Sequence, residues 1–422
     1  MKILLRKVLI ADPGSVLNGL QKDILIDGNL ISAIEDHISQ ASDIEQIIKA
    51  EGLTVSPGWV DSFSHFCDPG FEYRETINSG VASATAGGFT DVFVLPNTQP
   101  FVQSKSQVEY ICQKSKDLSA QVHPIGAITK NLEGKDLAEM YDMQSSGAIA
   151  FSDGLQPVQV SGLLLKALQY VKAFNGVIIQ MPIDKSIGSN GLMNESIFST
   201  RMGMQGIPSI AEEIIIKRDL DLLRYTESRL CITGISTAKG IELIAAAKKE
   251  GLQIYCGITP YHLFYNEEDM VDYNTNLKVN PPLRSKEDMM ALRNAVLDGT
   301  VDFIASHHIP QDWDKKNCEF EFAGNGIVGL ETAFAVVNHI LPELTNNRLV
   351  ELFSINARRI FGLDAATVAT GNTAELSLFN RTETSQLTKQ NIKSKSFNTP
   401  FLDTTLSGKV IGTFHNGKIS LN

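Results

Sequence analysis

Between residues 56 and 306, short apolar runs alternate with longer stretches of helical periodicity. The runs at 56–61, 90–95, 121–127, 147–151, 176–180, 229–233, 253–257 and 302–306 are rich in branched and aromatic residues, the pattern of strands buried on both faces. Helical spacing fills 77–86, 103–112, 162–174, 210–226, 238–249 and 286–297. Eight strands with intervening helices predict an α/β chain built as a closed (β/α)8 TIM-like barrel. The two ends read differently. Short strands are predicted at 4–11, 17–21, 23–26, 30–35 and 44–49, with turns at Asp12-Pro13-Gly14 and Asp27-Gly28-Asn29, and the same style resumes at 374–379 and 408–414. Residues 1–54 plus 368–422 are therefore expected to form one small β-sandwich domain beside a barrel at 55–367. The stretch 181–206 reads as a rim loop, and the polar run 381–395 as an exposed loop.

Composition narrows the function classes. A net charge of -11 over 422 residues argues against non-specific nucleic-acid binding and against attraction to anionic membranes. No uncharged apolar run approaches the ~20 residues that cross a bilayer, and the N-terminus lacks a leader pattern. Five cysteines, odd in number and widely spaced, read as reduced thiols in the cytoplasm.

Candidate chemistry gathers at predicted strand ends, where a barrel carries its reactive groups. The first is Asp61-Ser62-Phe63-Ser64-His65-Phe66-Cys67, followed by the Asp68-Pro69-Gly70 turn. His65 reads either as a metal ligand or as a hydrogen-bonded structural histidine; Asp153 before Gly154 reads as a ligand or a turn stabiliser. His262 and the His307-His308 pair add imidazoles, while Asn97, Asn280 and Arg284 offer donors for an amide or a carboxylate. No phosphate loop and no Gly-x-Ser-x-Gly elbow is present.

Several segments carry a resemblance: Asp68-Pro69-Gly70, Glu72-Tyr73-Arg74-Glu75, Gly87-Gly88-Phe89-Thr90, Pro96-Asn97-Thr98-Gln99-Pro100, Ser236-Thr237-Ala238, Asn280-Pro281-Pro282-Leu283-Arg284, Gly329-Leu330-Glu331-Thr332 and Asn398-Thr399-Pro400-Phe401. In this order they resemble the dihydroorotase family of the amidohydrolase superfamily, in its longer bacterial form. The resemblance implies a zinc-assisted, reversible cyclisation of carbamoyl aspartate to dihydroorotate. It also implies where the site falls. The paired metal histidines of the first strand match Phe63 and His65, the carboxylate after the fourth strand matches Asp153, and the remaining metal histidines match Gln180 and Gly234. The catalytic aspartate matches His307, and the substrate-gripping arginine and histidine match Cys67 and Gln311, while Asn97 and Asn280 are kept. The resemblance with these departures leads to the expectation of a dihydroorotase-like protein that is inactive or impaired. It would hold no zinc or hold it weakly, and would play a structural or regulatory part in pyrimidine biosynthesis. Aspartate carbamoyltransferase and further copies of the chain are the expected partners. Two alternatives are an active cyclic amidohydrolase using His65, Asp153, His262 and His307 or His308, and a module binding pyrimidine-like small molecules through Asn97, Asn280 and Arg284.

Overall fold

The first five strands, β1 (Lys2–Ile10), β2 (Gln21–Asp27), β3 (Leu30–Glu35), β4 (Gln46–Ile48) and β5 (Thr54–Pro57), open the computed structural model, which describes residues 2–39 and 43–422. The two-residue turn Gly28-Asn29, with Gly28 at φ 61°, sets the β2–β3 hairpin, because the left-handed region is open to glycine at no steric cost. Residues 17–19 form a turn where a strand is predicted at 17–21: Leu20 N–H donates to Leu17 C=O at 3.1 Å, Gly19 and Leu20 exchange backbone bonds with Ile10, and Gln21 opens β2.

Barrel strands follow as β6 (Trp59–Ser64), β7 (Phe89–Val94), β8 (Gln121–Gly126), β9 (Ala150–Phe151) and β10 (Ile178–Gln180). A rim pair intervenes, β11 (Met193–Asn194) and β12 (Gly206–Ile207), before β13 (Leu230–Thr233), β14 (Ile254–Ile258) and β15 (Phe303–Ile304). Sequential barrel neighbours pair in parallel, and all eight strands overlap the runs marked by the hydrophobic pattern. Closure of β15 onto β6 is made by His65 N–H donating to His308 C=O at 2.8 Å and by Ser306 N–H donating to Asp61 Oδ1 at 2.6 Å. Asp61 is thus a closure clamp inside the wall.

The barrel interior is filled by Val60, Phe93, Ile125, Ile179, Cys231 and Phe303, each from a different strand, joined by Ile360 and Phe361 of the helix Asn356–Phe361. A second cluster, including Trp59, Phe89, Phe334 and Phe353, lies between the strands and the helices around them. Helix 77–86 starts at a Thr76–Ser79 capping box, which satisfies two end groups of the first turn.

The chain ends in β16 (Leu376–Gln386), β17 (Thr405–His415) and β18 (Lys418–Leu421). β16 pairs antiparallel with β5, so both ends of the chain share one sheet, ordered β18-β17-β16-β5-β1-β2-β3 with β4 also on β1. The outer strand β3 reaches back through a Leu30–Thr373 bridge to the lead-in of β16, folding the sheet over a core that includes Ile3, Ile24, Ile26, Leu376, Leu378 and Phe414. This is the small sandwich of the two termini. The run 381–395 departs from expectation: β16 continues through Gln386, paired opposite Thr405–Ser407, and only residues 387–404 leave the sheet, as a strap crossing the barrel. Among the described residues no helix is long and apolar enough to cross a membrane.

Candidate functional site

At the mouth end of β6 the register with β7 shifts between Asp61 and Ser64. Such an irregularity re-aims side chains, and it lets Val60 and Phe63, three residues apart, both join the interior cluster. Phe63 is fully buried and lies stacked on the His307 ring, with centroids 4.4 Å apart and planes at 28°. His307 follows β15 with φ 43°, and its Nε2 lies 2.8 Å from Thr233 Oγ1 at the end of β13. Immediately beyond Thr233, Gly234 takes φ 75°, and a Cβ there would meet His307 Cε1 at 2.8 Å. The imidazole of 307 therefore occupies the space that a side chain at 234 would need. Burial holds His307 neutral, its pKa lowered to about 3.

His65 lies one residue past β6. Its Nε2 is 3.1 Å from Asn97 C=O, which can only accept, so the ring proton sits on Nε2 and Nδ1 accepts from the Cys67 thiol at 3.0 Å. Both ring nitrogens are engaged, and burial lowers the His65 pKa to about 4. Burial pushes the Cys67 thiol up, so the pair is a neutral hydrogen bond rather than an activated thiolate. Asp153 is held by the loop after β8: Oδ1 accepts from Ile128 and Thr129 N–H, each at 2.9 Å, and Oδ2 accepts from Thr129 Oγ1 at 2.5 Å. Burial still raises its pKa to about 6. The Gln180 amide closes on Val158, accepting from its N–H at 3.2 Å and donating to its C=O at 3.3 Å.

The remaining candidates separate. His262 donates from Nε2 toward Pro281 and Pro282 carbonyls and accepts at Nδ1 from Thr259 Oγ1, bracing the 280–282 loop. His308 turns to Glu75, 3.4 Å from Nε2 to Oε2, away from His307. Arg284 is buried and bonds Ser236, Asn194 and the Ile207 carbonyl, so it anchors the 193–207 rim segment. Asn97 spans the Asp153 carbonyl and the Leu155 N–H, while Asn280 Oδ1 is buried with no hydrogen-bond partner. Gln311 donates to Asn325 C=O at 2.7 Å and takes no part in the interior. Sequence reasoning missed Thr233 and Thr129, which fix His307 and Asp153. A threonine at a strand end carries no signal of its own, since the partner comes from a distant strand.

The resemblance implies zinc, which takes at least three converging protein donors. Among the described residues no group of three His, Cys, Asp or Glu is arranged to hold a metal. His65 and Asp153 are saturated by protein partners, Phe63 and Gly234 offer no donor, and His307 faces Thr233. The residues present do not fit the ion.

The fold is a (β/α)8 barrel with a sandwich of both termini, shared with solved hydantoinase structures. It superposes on L-hydantoinase (dihydropyrimidinase) from Arthrobacter aurescens with a TM-score of 0.87 at 23% identity, covering 100% of this chain and 96% of that one. Dihydropyrimidinase from Brevibacillus agri NCHU1002 gives 0.83 at 19% identity, covering 100% and 95%. Closer in sequence are a dihydroorotase of Syntrophus aciditrophicus, 38% identical over 99% of both chains, and one of Acetivibrio thermocellus, 40% identical over 97% of this chain and 96% of that one. A family profile described as dihydro-orotase-like matches residues 52–240. The chain belongs to the dihydroorotase family.

Proposed function

We propose that this member of the dihydroorotase family has lost zinc-assisted ring closure and serves a structural or regulatory role in pyrimidine biosynthesis. The stack of Phe63 on His307, seated over Gly234, is the observation that carries this reading. Closing or opening a cyclic amide needs a polarised carbonyl, an activated water and a base near neutral pKa. Here two rings fill the position where the resemblance puts metal ligands and the base. An imidazole with its pKa lowered to about 3 has little affinity for a proton at neutral pH. The substrate grip is depleted as well, because Cys67 bonds back to His65 and Arg284 is turned into the rim. The scaffold itself is kept, and aspartate carbamoyltransferase is the partner it is proposed to support.

Metal analysis of protein purified with zinc present, coupled to a dihydroorotate turnover assay, tests the reading. Substoichiometric zinc and no turnover above background are expected; one zinc or more per chain with robust turnover sinks it. Co-sedimentation with aspartate carbamoyltransferase of the same organism checks the partner separately, and a mixture that sediments as two free proteins removes that part.

A further inference from the structure

The loops that ring the barrel mouth expose large apolar side chains. Trp313 is 72% exposed, Phe322 69%, Ile197 61% and Tyr73 59%, with Tyr273 and Phe397 also open to solvent. One exposed apolar residue is ordinary on a folded chain, whereas a connected set marks a contact surface. The segments carrying these six are bonded one to the next. Tyr273 Oη donates to the Met202 carbonyl at 3.0 Å and Thr275 Oγ1 to the Lys316 carbonyl at 2.6 Å. Arg74 Nε faces Asp312 Oδ2 at 3.4 Å, and Ser396 Oγ donates to the Arg74 carbonyl at 2.8 Å. A belt therefore runs from the 197–204 segment over the loops after β14 and β15 to the 72–74 turn and the strap.

Two buried lysines stiffen its centre. Lys278 Nζ donates to the Phe320 and Glu321 carbonyls, both at 2.7 Å, and Lys316 Nζ to the Thr275 carbonyl at 2.8 Å. A surface ordered in advance loses little freedom when it is covered. Its charge is one-sided. The loops 268–274 and 313–322 expose Glu268, Asp269, Asp272, Asp314, Glu319 and Glu321 against the exposed Lys315. None of the six acids is in an ion pair among the described residues, and they outnumber the cations even with Lys278 and Lys316 counted. A two-fold contact of this face with a second copy would set the acids against each other, and nucleic acids and anionic membranes are repelled in the same way.

We propose that this belt is the docking surface for a different protein, one that presents lysines and arginines around an apolar centre. Trp313 and Phe322 form the desolvated middle of the contact, and the surrounding acids set its orientation and its choice of partner. The inference deepens the non-catalytic reading and rests on it in one respect: a mouth covered by a partner admits no substrate.

Photo-crosslinking in cells of the source organism tests the proposal, with p-benzoylphenylalanine placed in the full chain at position 313, at 322 or, as a control, at exposed Tyr225 on the far end of helix 210–226. Capture of one protein through the same lysine- and arginine-rich segment from 313 and from 322, and not from 225, is expected. That protein, identified by mass spectrometry and purified, should bind the full chain in calorimetric titration. Trp313→Ala with Phe322→Ala should weaken binding about thirtyfold, the loss of a central contact, and Asp314→Lys with Glu319→Lys about tenfold. All four side chains are exposed, so the melting temperature should stay unchanged, and either pair decides the matter if the other folds poorly. The absence of a product at 313 and 322 overturns the proposal. So does capture of another copy of this chain alone, equal capture from 225, or binding that survives both pairs of substitutions. If the captured protein is aspartate carbamoyltransferase, the surface and the partner proposed above stand together; if it is another protein with a basic face, the surface stands and that partner falls.

Discussion

An alanine at position 234 would place its Cβ 2.8 Å from His307 Cε1 on a backbone at φ 75°. The two penalties are separable. The left-handed backbone costs a β-carbon about 1–2 kcal/mol, and crowding a packed ring adds about 1–3 kcal/mol. Gly234→Ala is therefore expected to destabilise by roughly 2–5 kcal/mol in urea unfolding, but by only about 1–2 kcal/mol in a His307→Ala background. Equal losses in both backgrounds would show that the two positions do not interlock. Phe63, Gly234 and His307 were each legible in the sequence as departures from the family pattern. Their contact was not, because it joins β6, β13 and β15 across the barrel and no spacing along the chain encodes it. His65 illustrates the same limit: its surroundings in sequence fit a ligand or a structural histidine, and the Asn97 carbonyl that its ring bonds lies 32 residues away on another strand's loop.

Among the elements, the strap at 387–404 separates polarity from exposure. Its serines and asparagine look like a solvated loop, yet Ser394, Ser396 and Asn398 are buried. Ser394 Oγ donates to Glu75, Ser396 Oγ donates to the Arg74 carbonyl at 2.8 Å, and Asn398 Nδ2 donates to the carbonyls of Ile309 and Gly326, both at 3.0 Å. Asn398 Oδ1 also accepts from Gln311 N–H at 3.0 Å. Removing that amide strands two buried carbonyls and one half-buried N–H, so Asn398→Ala is expected to cost about 2–4 kcal/mol and to raise hydrogen exchange across 391–398. Lys395→Ala, which loses one bond from an exposed side chain to the Glu72 carbonyl, should stay within about 0.5 kcal/mol. Comparable losses for the two would mean that the strap is held by its backbone alone. By contrast the barrel strands were legible because burial on both faces leaves an uninterrupted apolar run, whereas the two leucines of the turn leading into β2 are too few to separate a turn from a short strand.

Across the whole molecule, the seam below the barrel is held by buried charge. Arg358 donates to the Gly58 carbonyl, to Asp91 at 2.7 Å and to Glu375, tying the barrel to the residue that leads into β16. His123 lies 2.8 Å from the other Asp91 oxygen, and His415 faces Glu375 at 4.0 Å. The alternation of strand and helix announced the barrel and the shared sandwich, but these partners are dispersed from residue 58 to 415 and left no local mark. Asp91 takes the negative charge, held low by Arg358 against its burial, while burial and the neighbouring Asp91 raise Glu375 from 4.5 to about 8. A carboxyl whose folded pKa is raised adds stability that is complete below 4.5 and is lost as pH rises toward about 8. The buried histidines act oppositely: His65 and His262, lowered to about 4, favour the folded chain above the usual histidine pKa of 6.5 and lose that advantage on acidification. Other groups titrate in the same range, so the wild-type profile alone does not isolate the seam. The difference from Glu375→Gln does. Relative to the variant, wild type should lose up to about 1.4 kcal/mol per pH unit between 4.5 and about 8 and no more above that window. Parallel profiles in urea unfolding across this range would show that Glu375 carries no proton in the folded chain and that Arg358 balances both carboxylates as anions.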